Sequence, residues 1–206
     1  MTPLVVHHGR NRWASPVQVA DLIDLDPAAK EAVRAYLPRF EFLLDDLPGV
    51  DEDQLRERPL TPLALVTLML MKSAPGNPRI VAGLRPWAGQ LRAVLDQPGG
   101  SEAFIVLLTY IELVSEAPAE DVRDLAASLG PDAEEAYVTT AEMLRAEGEA
   151  RGEARGRAEA LVEMLTVKFG PLPASVPKTV HAASIDQIKT WTARAVTAET
   201  LDEVFD

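Results

Sequence analysis

The stretch from Glu142 to Gly170, EMLRAEGEARGEARGRAEALVEMLTVKFG, limits what the rest of this chain can fold into. Gly148, Gly152 and Gly156 recur every four residues, and Ala146, Ala150, Ala154 and Ala158 do so two positions out of phase. In an α-helix a spacing of four is nearly one turn, so each set makes a slowly drifting stripe of small residues. Charged stripes run between them: Glu147, Arg151, Arg155 and Glu159 on one side, Glu149, Glu153 and Arg157 on the other. No large apolar residue falls between Arg145 and Ala160, so this helix has no face to bury in a core. Its interior glycines cost roughly 3 kcal/mol against alanine. The i,i+4 pairs Glu147–Arg151 and Glu153–Arg157 each return only about 0.2–0.5 kcal/mol. The expectation is an exposed, marginal connector helix over 142–170. Its glycines share the G-x-x-x-G spacing of helix dimers, but that signal belongs to apolar membrane helices. A flexible spacer is therefore the preferred reading, with Gly148, Gly152 and Gly156 as candidate helix-pairing contacts.

The 206 residues are enough for one or two domains with a real core, and 47% hydrophobic with 25% charged content argues against wholesale disorder. The absence of cysteine excludes a disulfide framework, a thiolate metal site and a cysteine nucleophile, and fits a reducing cytoplasm. MTPLVVHHGRNRW lacks the features of a signal peptide, and the apolar run Leu63–Met71 is too short to span a bilayer, so no membrane partner is expected. Net charge is −12, yet residues 61–100 carry four Lys/Arg against one acid. Affinity for nucleic acid comes mainly from basic groups neutralising phosphates. A chain this acidic is expected to bind DNA weakly or not at all, unless that block acts locally through Arg85 and Arg92, which at a spacing of seven share a helix face.

Pro3 to His8 reads as a short buried strand closed by Gly9 and the basic turn Arg10-Asn11-Arg12, and Phe40 to Leu44 as a second strand bracketed by prolines. A short helix is expected over Pro27 to Tyr36. Two strands are marginal in isolation, so they pack on the helices that follow or belong to a sheet whose other strands lie elsewhere. Thr61-Pro62 pairs an N-cap with a proline at the first helical position, and Asn77-Pro78 repeats the signal for a helix reaching about Asp96. Ser101 is expected to cap a helix beginning at Ala103, and Pro118 and Pro131 to open two more. Leu161, Leu165 and Phe169 form an apolar face, and Ser184 with Gln187 is a capping box. Leu201, Val204 and Phe205 are placed to fold back on Trp191 and Ile188.

Chemical motifs are sparse. His7 and His8 are neighbours on a strand and point to opposite faces, so they are read as polar surface or turn positions rather than joint metal ligands. No Ser-His-Asp arrangement, P-loop or dinucleotide motif is present. Asp45-Asp46 and Asp51-Glu52-Asp53 carry the paired carboxylates that metal-dependent phosphodiester cleavage uses. In LLDDLPGVDEDQ they are read as solvated acids of a turn entering a helix.

HHGRNRW near the start, PRFEFLLDDL in the middle, and the tetrad repeat followed by KFGPLP and AETLDEVF together resemble the Rpn family. These are bacterial recombination-promoting nucleases, also labelled YhgA-like putative transposases. The resemblance implies a restriction-endonuclease-like α/β core of the PD-(D/E)xK type that cuts DNA with Mg²⁺. That core's Asp and Glu-x-Lys or Glu-x-Gln should precede the strand resembling PLVVHHG. Glu52-Asp53-Gln54 alone has an acid two residues before a Lys or Gln, and it falls in the polar turn, so no catalytic, cofactor or metal residue carries over.

The expected architecture is mainly α: a small β remnant of the nuclease-like core at 1–60, a helical body at 61–141, the connector at 142–170 and a small helical module at 171–206. The expected function is membership of a DNA recombination or transposase-like nuclease family, with this chain resembling the part after the catalytic core and inactive by itself. DNA and Mg²⁺ are the partners expected of an intact member. The alternative is a helical interaction module that forms a homo-oligomer or binds a protein partner.

Overall fold

The computed structural model describes residues 3–205, and the chain divides into two units, Met1–Thr140 and Ala141–Asp206. The first unit opens with β1 (Leu4–His7) and, after a 3-10 turn at Val19–Leu22, α1 (Pro27–Val33). Asp26 caps α1 by accepting from the Ala28 and Ala29 N–H groups, with Pro27 at the first helical position. β2 (Leu43–Asp46) then pairs with β1 in parallel, in the register Leu4↔Leu43 to His7↔Asp46. A tight turn at Leu47–Gly49 leads into the short α2 (Glu52–Arg56).

α3 (Pro62–Ser73) begins where the Thr61 hydroxyl accepts from the Ala64 N–H. The single helix expected from Asn77 to Asp96 is instead α4 (Ile80–Leu84), a 3-10 turn at Arg85–Trp87 and α5 (Ala88–Leu95). Pro86 has no N–H to donate and its ring clashes with the preceding turn, so a continuous helix cannot form there. α6 (Gly100–Val114) starts one residue before Ser101, which therefore does not cap it. Gly99 occupies the left-handed region at φ 74°, and a Cβ on Gly100 would collide with the Val94 and Leu95 carbonyls. Only glycine allows α6 to follow α5 so closely. α7 (Ala119–Leu129) follows Pro118, and α8 (Pro131–Phe169) is one unbroken helix of 39 residues.

The first unit's core is built from α3 to α8, with Trp87, Phe104, Met69, Ile80 and Leu108 fully enclosed. Leu47 and Leu55 join it from the turn and α2, and Val6 touches it from β1.

The second unit contains the remainder of α8, then α9 (Ser175–His181), α10 (Ile185–Thr197) and α11 (Asp202–Phe205). Its own core gathers Leu161, Leu165, Val180, Ile188 and Val204, with Phe169 packed against it. The capping box at Ser184 and Gln187 forms as expected. Trp191 and Phe205 meet edge to face with centroids 4.9 Å apart, a geometry favoured by the ring quadrupoles. Lys168 donates to the Ala195 and Val196 carbonyls, satisfying acceptors at the end of α10. The architecture is mainly α with a small β element, as the sequence indicated.

Candidate functional site at the ends of the paired strands

Parallel register places the last residues of β1 and β2 side by side, and both are titratable: His7 and Asp46. The His7 Nδ1 lies 2.8 Å from the Asp46 Oδ1. That same oxygen accepts from the Trp13 backbone N–H at 3.2 Å, and the Arg12 Nε stands 3.6 Å from Oδ2. The hydrogen bond from His7, together with the Trp13 N–H and the Arg12 charge, holds the Asp46 carboxyl below the usual carboxylate range, while partial burial opposes this. The basic turn after β1 makes the arrangement possible. Trp13 folds back so that its ring meets His7 edge on at 5.3 Å and Phe42 at 5.9 Å. A Cβ on Gly9 would stand 2.7 Å from the His7 Nε2, so the turn passes directly over the imidazole.

Asp45, one residue earlier, points to the other face of the strand. Arg58 clamps it with two hydrogen bonds of 2.6 and 2.8 Å, and this pairing raises the guanidinium pKa further. The reading of Asp45-Asp46 as solvated turn acids is therefore corrected: both lie on β2, half-buried and paired. The reading of His7 as a polar surface or turn residue is corrected in the same way. Strand alternation turns the two carboxylates apart, so adjacency in sequence does not become convergence in space. Asp51, Glu52 and Asp53 do lie at a helix entrance, where Asp51 caps α2 through the Gln54 N–H and Arg56 pairs with the other two. Among the described residues no three His, Asp or Glu side chains come together to hold a metal ion.

The single helix expected to carry Arg85 and Arg92 is interrupted, so that Arg85 opens the 3-10 turn and Arg92 lies on α5. Arg85 lines a hollow of about 430 Å³ that also holds Asp121 and Asp124, and Arg92 donates to the Ser128 carbonyl. Gly148, Gly152 and Gly156 lie in the middle of α8, and a Cβ on any of them would meet nothing within 4 Å. The pairs Glu147–Arg151 and Glu153–Arg157 form along the same helix, joined by Arg155–Glu159.

The His7–Asp46 contact spans 39 residues, and local pattern alone gave no sign of it. The available signal was the pairing of two strand ends, one finishing in His-His and the other in Asp-Asp.

Residues 1–101 match the family described as putative transposase, YhgA-like. No curated protein and no solved structure matches the chain.

Proposed function

We propose that this chain, whose residues 1–101 match the family described as putative transposase, YhgA-like, is the non-cutting portion of a DNA recombination nuclease of the PD-(D/E)xK type. In this reading β1 and β2 are the edge of a larger α/β core, and the Mg²⁺-binding acids of that core come from outside residues 3–205.

The uncovered strand pair is the observation that carries the reading. Parallel sheets are normally buried on both faces, yet Leu4 is 62% and Leu43 59% exposed. The acids add support. A Mg²⁺-dependent nuclease needs carboxylates converging on the metal, whereas Asp45 and Asp46 diverge and are each held by a basic partner. The residues present do not fit a Mg²⁺ site. The acidic balance of −12 disfavours phosphate binding by this chain. No helix among the described residues is long and apolar enough to cross a membrane, and a cysteine-free chain is suited to the cytoplasm.

The direct test is to incubate the purified chain with supercoiled plasmid and Mg²⁺ or Mn²⁺. The expected result is intact plasmid. Cleavage abolished by Glu52→Ala would put a working acid at the entrance of α2, and cleavage that survives the substitution would reveal a site elsewhere. Either outcome overturns the proposal. The second reading, an interaction module, draws on the exposed apolar residues Val106 and Leu113 of α6, at 66% and 64% exposure.

A further inference from the structure

α6 carries two apolar faces. One, including Phe104, Leu107, Leu108 and Ile111, is buried in the core. The other is formed by Ala103, Val106, Tyr110 and Leu113, spaced three, four and three residues apart. That spacing is the a/d seam of a helix pair. Val106 and Leu113 on it are largely exposed. Beside the seam, between α3 and α6, runs a groove of about 460 Å³ whose α3 wall includes Leu63, Thr67 and Met71. Its lining is apolar apart from Thr67, the Tyr110 hydroxyl and His8 at one edge. A seam and groove of this kind form the docking surface for one more helix.

Charge is distributed unevenly along the seam. Glu102 stands at its N-terminal end, exposed, in the first turn of α6. Arg10 stands at its C-terminal end. The Gly76 N–H donates to the Val114 carbonyl at 2.7 Å, and the Arg10 guanidinium lies 3.8 Å from where a Gly76 Cβ would be. Arg10 itself is exposed and has no ion-pair partner among the described residues.

We propose that this face binds a second copy of the chain, with α6 packed antiparallel on α6 of the copy. An antiparallel pair places each Glu102 against the Arg10 end of its partner and aligns the two helix dipoles favourably. A parallel pair would set Glu102 against Glu102. The symmetry is two-fold, so every contact occurs twice. Val106 of one copy enters the α3–α6 groove of the other, and Leu113 does the same from the opposite end. The inference stands independently of the nuclease proposal, because it uses no catalytic group and would hold for an active or an inactive chain.

Sedimentation velocity over a range of concentrations, on the full chain, tests it. The wild type is expected to be a dimer. Val106→Glu with Leu113→Glu introduces charges at exposed positions, so the fold stays intact by circular dichroism while dimerisation weakens about a hundredfold or more. Arg10→Glu and Glu102→Arg should each weaken it about tenfold. The double variant Arg10→Glu/Glu102→Arg should regain wild-type affinity, because each reversed charge again meets its opposite. A wild type that is monomeric at its highest soluble concentration would overturn the proposal. So would a dimer indifferent to Val106→Glu/Leu113→Glu, or a charge swap that fails to rescue.

Discussion

Residues 3–46 and residues 47–140 lie in one unit of this chain but are held by different forces. From Leu47 onward the core encloses side chains such as Leu55, Trp87 and Phe104 completely. Between residues 3 and 46 no side chain is fully buried, and Leu22, Tyr36 and Phe40 face solvent. Apart from Val6, which packs against the helical core, the side-chain contacts that hold this segment are mainly polar: His7 and the Trp13 N–H to Asp46 within it, and Arg58 reaching back to Asp45. Apolar burial contributes roughly 25 cal/mol per Å² and scales with area, whereas part-solvated ion pairs contribute about 1 kcal/mol or less each. The helical block can therefore stand by itself, while the strands hold their register through a few contacts that a larger sheet would reinforce.

Substitutions in the two regions should differ accordingly. The largest effect is expected from Phe104→Ala, which empties a fully enclosed site in the helical block and should cost about 3–5 kcal/mol in denaturant unfolding. A cost below about 1 kcal/mol would erase the contrast between the regions. In the separate C-terminal unit, Trp191→Ala removes the ring that meets Phe205 and should expose residues 171–205 to limited proteolysis. Unchanged proteolysis would contradict that packing.

Replacing Gly148, Gly152 and Gly156 together by alanine should raise helicity and stabilise α8 by roughly 2–3 kcal/mol, because the added methyls meet nothing. A fall in stability on thermal unfolding would instead mean that these glycines allow a close helix contact in solution.

Among the strands, Asp46→Asn should destabilise modestly, by weakening the hydrogen bond with His7. The pH dependence has a definite sign. Asp46 titrates below its ordinary value when folded, so its stabilisation is complete above about pH 4 and is lost as pH falls through the lowered pKa. Urea unfolding of wild type and Asp46→Asn should converge in acid and separate toward neutrality.

The smallest effect belongs to Glu112 on α6, whose Oε1 is buried without a partner and whose carboxyl pKa is pushed up by burial. A raised carboxyl pKa is a penalty on the charged form, present at neutral pH and absent once the group is protonated in both states. Glu112→Gln should thus stabilise at pH 7 by less than about 1 kcal/mol, and not at all in acid. Stabilisation that persists in acid would point to a packing change instead.

How much of this was legible in the sequence follows the same division. Helix starts were legible where a cap and its partner lie within a few residues, as at Thr61-Pro62 and Ser184-Gln187. The apolar residues of the C-terminal unit were legible because their helical spacing is local. Pro86 lies inside the run read as one helix from Asn77 to Asp96, and its missing N–H is what divides that run into α4 and α5. Asp45 and Asp46 read as turn residues because two acids in succession have low strand propensity. Their place on β2 is fixed by His7 and Arg58, at separations of 39 and 13 residues. The α6 seam is present in the sequence as Ala103, Val106, Tyr110 and Leu113, but its neighbours Phe104, Ile105, Leu107, Leu108 and Ile111 are apolar too, so spacing alone does not single out an exposed face.

Amide hydrogen exchange tests the central contrast most directly. If the strands are the edge of an unfinished sheet, amides of Leu4–His7 and Leu43–Asp46 should exchange through local opening, far faster than those of α3 and α6, whose protection should approach the global unfolding free energy. Strand amides protected as strongly as the core helices would contradict the account, for the pair would then be a finished element that needs nothing more.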